Sequence, residues 1–239
     1  MQAMPFYTEL HAHTSEVSPC AHLTAAQVAD RYLAAGYRTV VTNHYCDYVM
    51  DSAGEDWEDR FRFYISGYHA MRDYAGDRLC VLLGLELRFV ESANDYLIFG
   101  ADEEFLYEHP NLHLMSLKTF SGLAREHDLL VIQAHPLRNG IKNMPPSLLD
   151  GYEVFNGHPN HDARNDLARL WCRKYGKIPT SGSDFHDTWS PESGGLITPE
   201  PILSMRQLCD VLRSRSYTLR CAGPAAERDG MTDFPASEL

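Results

Sequence analysis

Apolar positions along the 239-residue chain fall into two alternating patterns. Short apolar or β-branched runs at 5–10, 38–43, 79–86, 95–99, 129–134, 151–156 and 177–181 read as strands, several with both faces buried. Between them the period changes to that of a helix. Thr24 and Gln27 form a capping box opening a helix to Ala35, with Gly36 as its stop. A long amphipathic helix is predicted over 58–74, and another, capped by Ser116, to about 127. A third places Leu167, Leu170, Trp171 and Tyr175 on one apolar stripe. Ser204 and Gln207 repeat the capping box ahead of Leu208, Val211 and Leu212. The segment 46–58, with Asp47, Asp51, Glu55 and Asp56, reads as an exposed loop. The tail from Ala222 offers little to pack and reads as loosely held.

Strands alternating with helices predict a parallel sheet or a barrel. No Gly-rich dinucleotide loop or Walker sequence follows any strand, which favours the barrel over an open wound sheet. The expectation is one α/β barrel domain over 1–221, with a tail at 222–239.

Composition narrows this further. A hydrophobic content of 44% and a charged content of 23% fit a soluble folded enzyme or binding domain. No apolar run is long enough to span a bilayer and no secretion signal opens the chain, so neither membrane nor export is expected. Six cysteines (Cys20, Cys46, Cys80, Cys172, Cys209, Cys221) show no CxxC spacing. That argues against a disulfide framework or thiolate zinc site and for a reducing cytoplasm. A net charge of −12 argues against a nucleic-acid surface. It suits plain solubility, or carboxylates that hold divalent ions.

The candidate chemistry is positional. His11 and His13 are two apart on a strand and point to one face. His44, Glu86, His135, and Asp184 with His186 each sit at or just past the C-terminal end of a separate predicted strand, where barrels build active sites. Histidine and carboxylate without thiolate suit Zn²⁺, Mn²⁺ or Fe²⁺. The set exceeds the needs of one tetrahedral ion, which predicts a cluster of two or three.

Five motifs then resemble a family: His11-Ala12-His13-Thr14, Thr42-Asn43-His44, Gly84-Leu85-Glu86, Ala134-His135-Pro136, and Gly182 to His186. Their order and spacing over 5–220 resemble the PHP (polymerase and histidinol phosphatase) superfamily. The resemblance implies a single-domain, distorted (β/α)7 TIM-like barrel. It also implies hydrolysis of a small-molecule phosphoester by a metal-activated water at a di- or trinuclear centre. The ligands so implied are His11, His13, His44, Glu86 as the bridge, His135, Asp184 and His186.

The chain departs from the family pattern at three places. Asn43 replaces an Asp, which implies an altered supporting hydrogen bond rather than a lost ligand. After the first motif Glu16 is the expected ligand, with Cys20 or His22 behind it. Asp95 replaces a histidine and reads as an oxygen ligand or a turn residue at the strand start. Arg88 and Arg138 are candidates to bind the phosphate, as is the weaker Lys142. Asn156 is expected at the mouth; His158 and His161 read first as surface residues and second as lining it. Asp184 and His186 are the candidates for proton transfer. Two other readings compete. An amide or lactone hydrolase on the same barrel type would want a bridging carboxylated lysine, and no lysine stands at a suitable strand end. A catalytically silent metal-binding module would be expected to have lost several ligands, and this chain keeps nearly all.

Overall fold

A computed structural model describes residues 5–44, 49–50 and 53–239. Cys46, Asp47 and Asp51 of the predicted loop lie outside the described residues. In chain order the first half runs β1 (Phe6–Ala12), α1 (Ala25–Ala34), β2 (Tyr37–Asn43), α2 (Trp57–Ala75), β3 (Cys80–Arg88), β4 (Asp95–Phe99), α3 (Glu103–Glu108) and α4 (Leu117–Glu126). The second half runs β5 (Leu130–Gln133), β6 (Gly151–Asn156), α5 (Asn165–Tyr175), β7 (Ile178–Gly182), β8 (Leu196–Thr198), α6 (Met205–Ser214), β9 (Thr218–Leu219), α7 (Gly223–Asp229) and β10 (Phe234–Pro235).

The strands form one curled sheet in the order β10-β9-β8-β1-β2-β3-β4-β5-β6-β7, a mixed α/β half-barrel. Strands β1 to β3 are parallel, as are β5 to β7, but β4 runs antiparallel to both its neighbours. This corrects the expected all-parallel count of seven. The connection from β3 to β4 is only the six residues 89–94, far too short for the crossover that parallel strands require.

Closure of the sheet happens at the end that matters for function. The first half of β1 pairs antiparallel with β8. Its last residues pair instead with the segment leaving β7: Phe185 N–H donates to the His11 carbonyl (3.3 Å) and His13 N–H donates to the Phe185 carbonyl (3.0 Å). The loop into β8 passes so close beneath this seam that a Cβ on Gly194 would lie 2.1 Å from the Gly182 carbonyl carbon. The histidines of β1 and the segment carrying Asp184 are thereby sewn together by backbone.

Three local expectations change. On α5 the buried residues are Asn165, Ala168 and Cys172, whereas Leu167 and Leu170 are exposed, so the helix turns its polar Asn165 inward toward β6. There Asn165 and Asn156 exchange side-chain and backbone hydrogen bonds. The tail is held: Ala225, Met231, Phe234 and Ala236 are buried in the main core, and β10 pairs with β9. Small residues and one aromatic suffice to pack it. Val49 and Met50 are also buried in that core, so this part of the predicted loop is not exposed. Among the described residues, no helix is long and apolar enough to cross a membrane.

Candidate metal centre

Glu9, Leu10, His11, Ala12 and His13 run through a register shift between Glu9 and Ala12 that interrupts strand alternation at the end of β1, and His11 and His13, on either side of Ala12, reach the same carboxylates. All five are buried. His11 Nε2 lies 3.3 Å from both Glu86 Oε1 and Asp184 Oδ1. His13 Nε2 lies 3.2 Å from Glu86 Oε2 and 3.5 Å from Asp184 Oδ1. From β5, His135 Nε2 approaches Glu86 Oε1 (3.4 Å) and Asp95 Oδ2 (3.7 Å). Glu86, at the C-terminal end of β3, thus stands between two groups whose donor atoms lie within 4.8 Å of one another: His11, His13 and Asp184 on one side, and Asp95 and His135 with Glu86 itself on the other.

The donor set fits divalent cations on a test independent of resemblance. His11 Nε2 and His13 Nε2 are buried without a hydrogen-bond partner, a costly state for a polar atom unless something else takes its lone pair. The other nitrogen of each ring is fixed. His11 Nδ1 lies 2.8 Å from Glu153 Oε1, and His13 Nδ1 lies 3.1 Å from Ser18 Oγ. His186 Nδ1 is 2.8 Å from the Asp184 carbonyl, an acceptor only, so Nδ1 carries the proton and Nε2 the free lone pair. Burial, then the charge of His13, pushes His186 down to about 4 and keeps it neutral at pH 7, but this expected ligand stands outside both groups of donors. Being neutral, it has no proton to donate on its Nε2. Its ring packs 4.3 Å from that of His13.

Electrostatics of the protein alone show what a cation would replace. Burial opposes charge on His11, yet Asp184, Glu153 and Glu86 together hold its imidazole well above the usual histidine range. Asp184 is buried and Glu86 half-buried, and the facing His11 holds both well below the usual carboxylate range. The surrounding carboxylates thus favour a proton on His11 in competition with a cation. Cation binding at Nε2 competes with that proton, so apparent metal affinity is expected to rise with pH and to fall as His11 is protonated. Chelator competition between about pH 6 and 8 should give a slope of about tenfold per pH unit for each proton released. A flat profile contradicts a histidine-bound ion.

Not every expected ligand joins these groups. Glu16 turns away: both its carboxylate oxygens accept from Ala25 N–H (2.8 and 3.0 Å), the first residue of α1. The reason is the tight turn in which Val17 and Ser18 N–H bond back to the Thr14 carbonyl, which aims Glu16 at the unpaired amides of the helix start. Glu16→Ala is expected to cost about 0.5–2 kcal/mol, the scale of a lost cap, with metal content unchanged. A melting curve paired with metal analysis checks both halves. His44 lies beside His13, ring centroids 5.6 Å apart, but hydroxyls take both its nitrogens: Ser18 Oγ at 2.7 Å and Thr14 Oγ1 at 3.3 Å. It belongs to neither group of donors. Asn43 faces the Leu10 and Val41 carbonyls, 2.9 Å each, to which an amide NH₂ donates and which a carboxylate would repel. That accounts for Asn at this position.

A cavity of about 210 Å³ opens over the donors, and Ser18, Pro19, Cys20, Arg88, Arg138 and His161 complete its lining. Arg88 grips Asp95 with two hydrogen bonds (2.6 and 3.0 Å), and Arg138 reaches the same carboxylate at 3.4 Å. Burial and the charge of Glu86 raise the Asp95 pKa against the pull of Arg88. Asn156 is not at the mouth. It is buried behind Asp184, whose Oδ2 accepts from Asn156 Nδ2 at 3.1 Å. His158 is buried as well, and the exposed His161 lies on the cavity wall. His22 stays on the surface with Asp187, and Lys142 bonds Asn94 through its backbone.

Two buried carboxylates were missed. Glu153, in the middle of β6, accepts from His11 Nδ1, from His135 N–H (2.9 Å) and from Asn156 Nδ2 (3.0 Å). Glu9 accepts from the N–H groups of Leu10, His11 and Ser183, and from the hydroxyls of Tyr32 and Ser183. The available signal for Glu9 was a lone carboxylate inside the strand that carries His11. For Glu153 it was a lone carboxylate inside an apolar strand.

Solved structures share this fold. A two-domain protein from Bacteroides vulgatus, containing a predicted PHP-like metal-dependent phosphoesterase, matches with a TM-score of 0.65 at 15% identity over 91% of this chain and 65% of that one. A Bifidobacterium adolescentis protein, provisionally assigned as a metal-dependent phosphoesterase, matches with a TM-score of 0.54 at 12% identity, over 88% of this chain and 97% of its own. Endonuclease Q, solved with a 27-mer duplex bearing an abasic lesion at its active site, matches at 0.56 and 14% identity over 88% of this chain and 57% of its own. The chain thus spans about two thirds of the first protein and less of the last. No family model and no curated protein matches the sequence. The fold is that of the PHP-like structures, the family which the motifs resemble.

Proposed function

We propose that this chain is a PHP-superfamily metallohydrolase that cleaves a small phosphoester. The observation that carries the reading is Glu86, one carboxylate placed between His11 and His13 on one side and His135 on the other. Two cationic groups sharing a bridging carboxylate suit reactions in which negative charge grows on oxygen. His11, His13 and Asp184 would hold one divalent ion, and Glu86, Asp95 and His135 a second, with His186 beside the first. Zinc, manganese and iron all suit this donor set. Bound there, such ions supply Lewis acidity toward a phosphoryl oxygen and lower the pKa of water.

The residues of the chain do the rest. Arg88 and Arg138, fixed on Asp95 at the cavity wall, present guanidinium charge to a substrate phosphate. Glu153 and Asn156 hold His11 and Asp184 in one orientation. The buried floor of the cavity, with His13, His135 and Asp184, limits water around the reacting group, which strengthens each of these charges. A cavity of about 210 Å³ and a net charge of −12 support a small substrate over a nucleic acid.

The test is metal analysis of the purified chain joined to a panel of phosphomonoesters, phosphodiesters, an abasic DNA duplex, an amide and a lactone. Two or more ions with turnover of a small phosphoester is the expected result. Turnover of the amide or lactone alone overturns the reading in favour of another hydrolase. Cleavage of the duplex alone overturns the small-molecule assignment. A metal-replete protein that turns over none of the panel is the silent module.

A further inference from the structure

The geometry points to an aromatic platform at the mouth of the cavity, built from Trp189, His158 and His161, that binds a planar uncharged ring on the leaving group of the substrate. This rests on the hydrolase reading above and names the class of substrate for that site. A cavity of about 210 Å³ is below the size of a usual small-molecule pocket, so it takes the phosphoryl group and leaves the remainder of the substrate at the mouth.

One side of the mouth is cationic, with Arg88 and Arg138 joined to Asp95. From His186 a run of rings leads out to the exposed Trp189. His186 meets His158 edge to face at 5.5 Å and 75°. His158 stacks on His161 at 4.1 Å and 29°, and His161 lines the cavity. Trp189 meets His158 at 5.2 Å and 78°, yet leaves 46% of its surface exposed.

An exposed large apolar side chain needs no explanation when it stands alone. Trp189 does not stand alone: it is packed on the same imidazole as a cavity-lining residue. The turn that presents it is fixed. Ser190 Oγ accepts from the N–H of both His186 and Asp187, so the indole is tied to the segment that carries Asp184 and His186. His158 is held from below by Asn156 Oδ1, which accepts its backbone N–H, and its Nδ1 accepts from Asn160 N–H. A pre-arranged set of ring faces and edges of this kind takes a flat ring by offset or edge-to-face contact.

The experiment separates this from hydrolysis. Phenylphosphonate and propylphosphonate, neither of which can be hydrolysed as an ester, are titrated by calorimetry into the manganese-loaded full chain. The ring ligand is expected to bind about 10-fold tighter, the scale of one good aromatic contact. Trp189→Leu, which keeps bulk without a ring, should collapse the ratio toward one, and Trp189→Phe should keep most of it. Equal affinities in the wild type, no binding of phenylphosphonate, or a ratio that Trp189→Leu leaves standing would each overturn the platform. The companion measurement compares 2-phenylethyl phosphate with butyl phosphate, whose preference should lie in KM. Ring-selective binding by a protein that turns over neither of these esters nor any phosphoester of the panel above overturns the hydrolase reading and leaves the platform in place.

Discussion

Asp184→Asn is expected to yield a folded protein that has lost metal and whose phosphoester turnover has fallen by at least about 10²–10³-fold, the scale for deleting a group that stabilises transition-state charge. The choice of Asn is dictated by backbone. Asp184 has φ 51°, in the left-handed region that Asn tolerates about as well as Asp and that Ala does not. Asn also keeps an oxygen to accept from Asn156 Nδ2, so the local hydrogen bond survives while the anion beside His11 and His13 is removed. The buried imidazole of His11 retains Glu86 and Glu153 as partners, which protects the fold. His11→Ala is the companion, deleting a nitrogen donor instead of an oxygen one. Both variants should show wild-type far-UV circular dichroism, sub-stoichiometric metal, and no recovery of activity in excess Mn²⁺ or Zn²⁺. A metal-replete, fully active Asp184→Asn protein would remove this residue from the centre.

The strand-end histidines and carboxylates were legible because each is a local fact. Two imidazoles at i and i+2 on a strand share a face wherever that strand sits, and Glu86, His135 and Asp184 needed only a strand end to be placed. What lay beyond reach was direction and return. Strand β4 has the same apolar pattern in either orientation, and only the six-residue connection 89–94 carries the sign of its reversal. Strands of two or three residues such as β8, β9 and β10 give no periodicity to read. Glu16 had the right residue type at a plausible spacing, but the turn after Thr14 and the open amides of α1 compete for the same carboxylate and win. His44 came to the right neighbourhood, and two hydroxyls that a sequence cannot place took its nitrogens. Asn156 was placed one layer too far out. At a strand end it could face the mouth or the support beneath it, and the partner that decides, Glu153, was hidden as one polar letter in an apolar run.

Glu153→Gln is the substitution that separates holding a ligand from being one. Strand β6 places no residue in either donor group, yet its buried Glu153 ties together three other strands. Oε1 takes His11 Nδ1 from β1, and Oε2 takes both the N–H of His135, just past β5, and Asn156 Nδ2. Asn156 passes the contact to Asp184 beyond β7. A glutamine has one accepting oxygen for these donors, so its NH₂ faces either the N–H groups of His135 and Asn156, donor against donor, or His11 Nδ1, where it favours the tautomer with the proton on Nε2. It also removes the anion that fixes the His11 tautomer and raises the basicity of Nε2. Metal affinity is expected to fall by about 10–100-fold, the range for such supporting partners. Because all the donors remain, saturating metal should restore most of kcat, which it cannot do for Asp184→Asn. Chelator competition gives the affinity, and a metal titration of turnover gives the rescue. Wild-type affinity in Glu153→Gln would show that His11 needs no carboxylate behind it. Failure of excess metal to restore turnover would mean that Glu153 acts on the reaction itself.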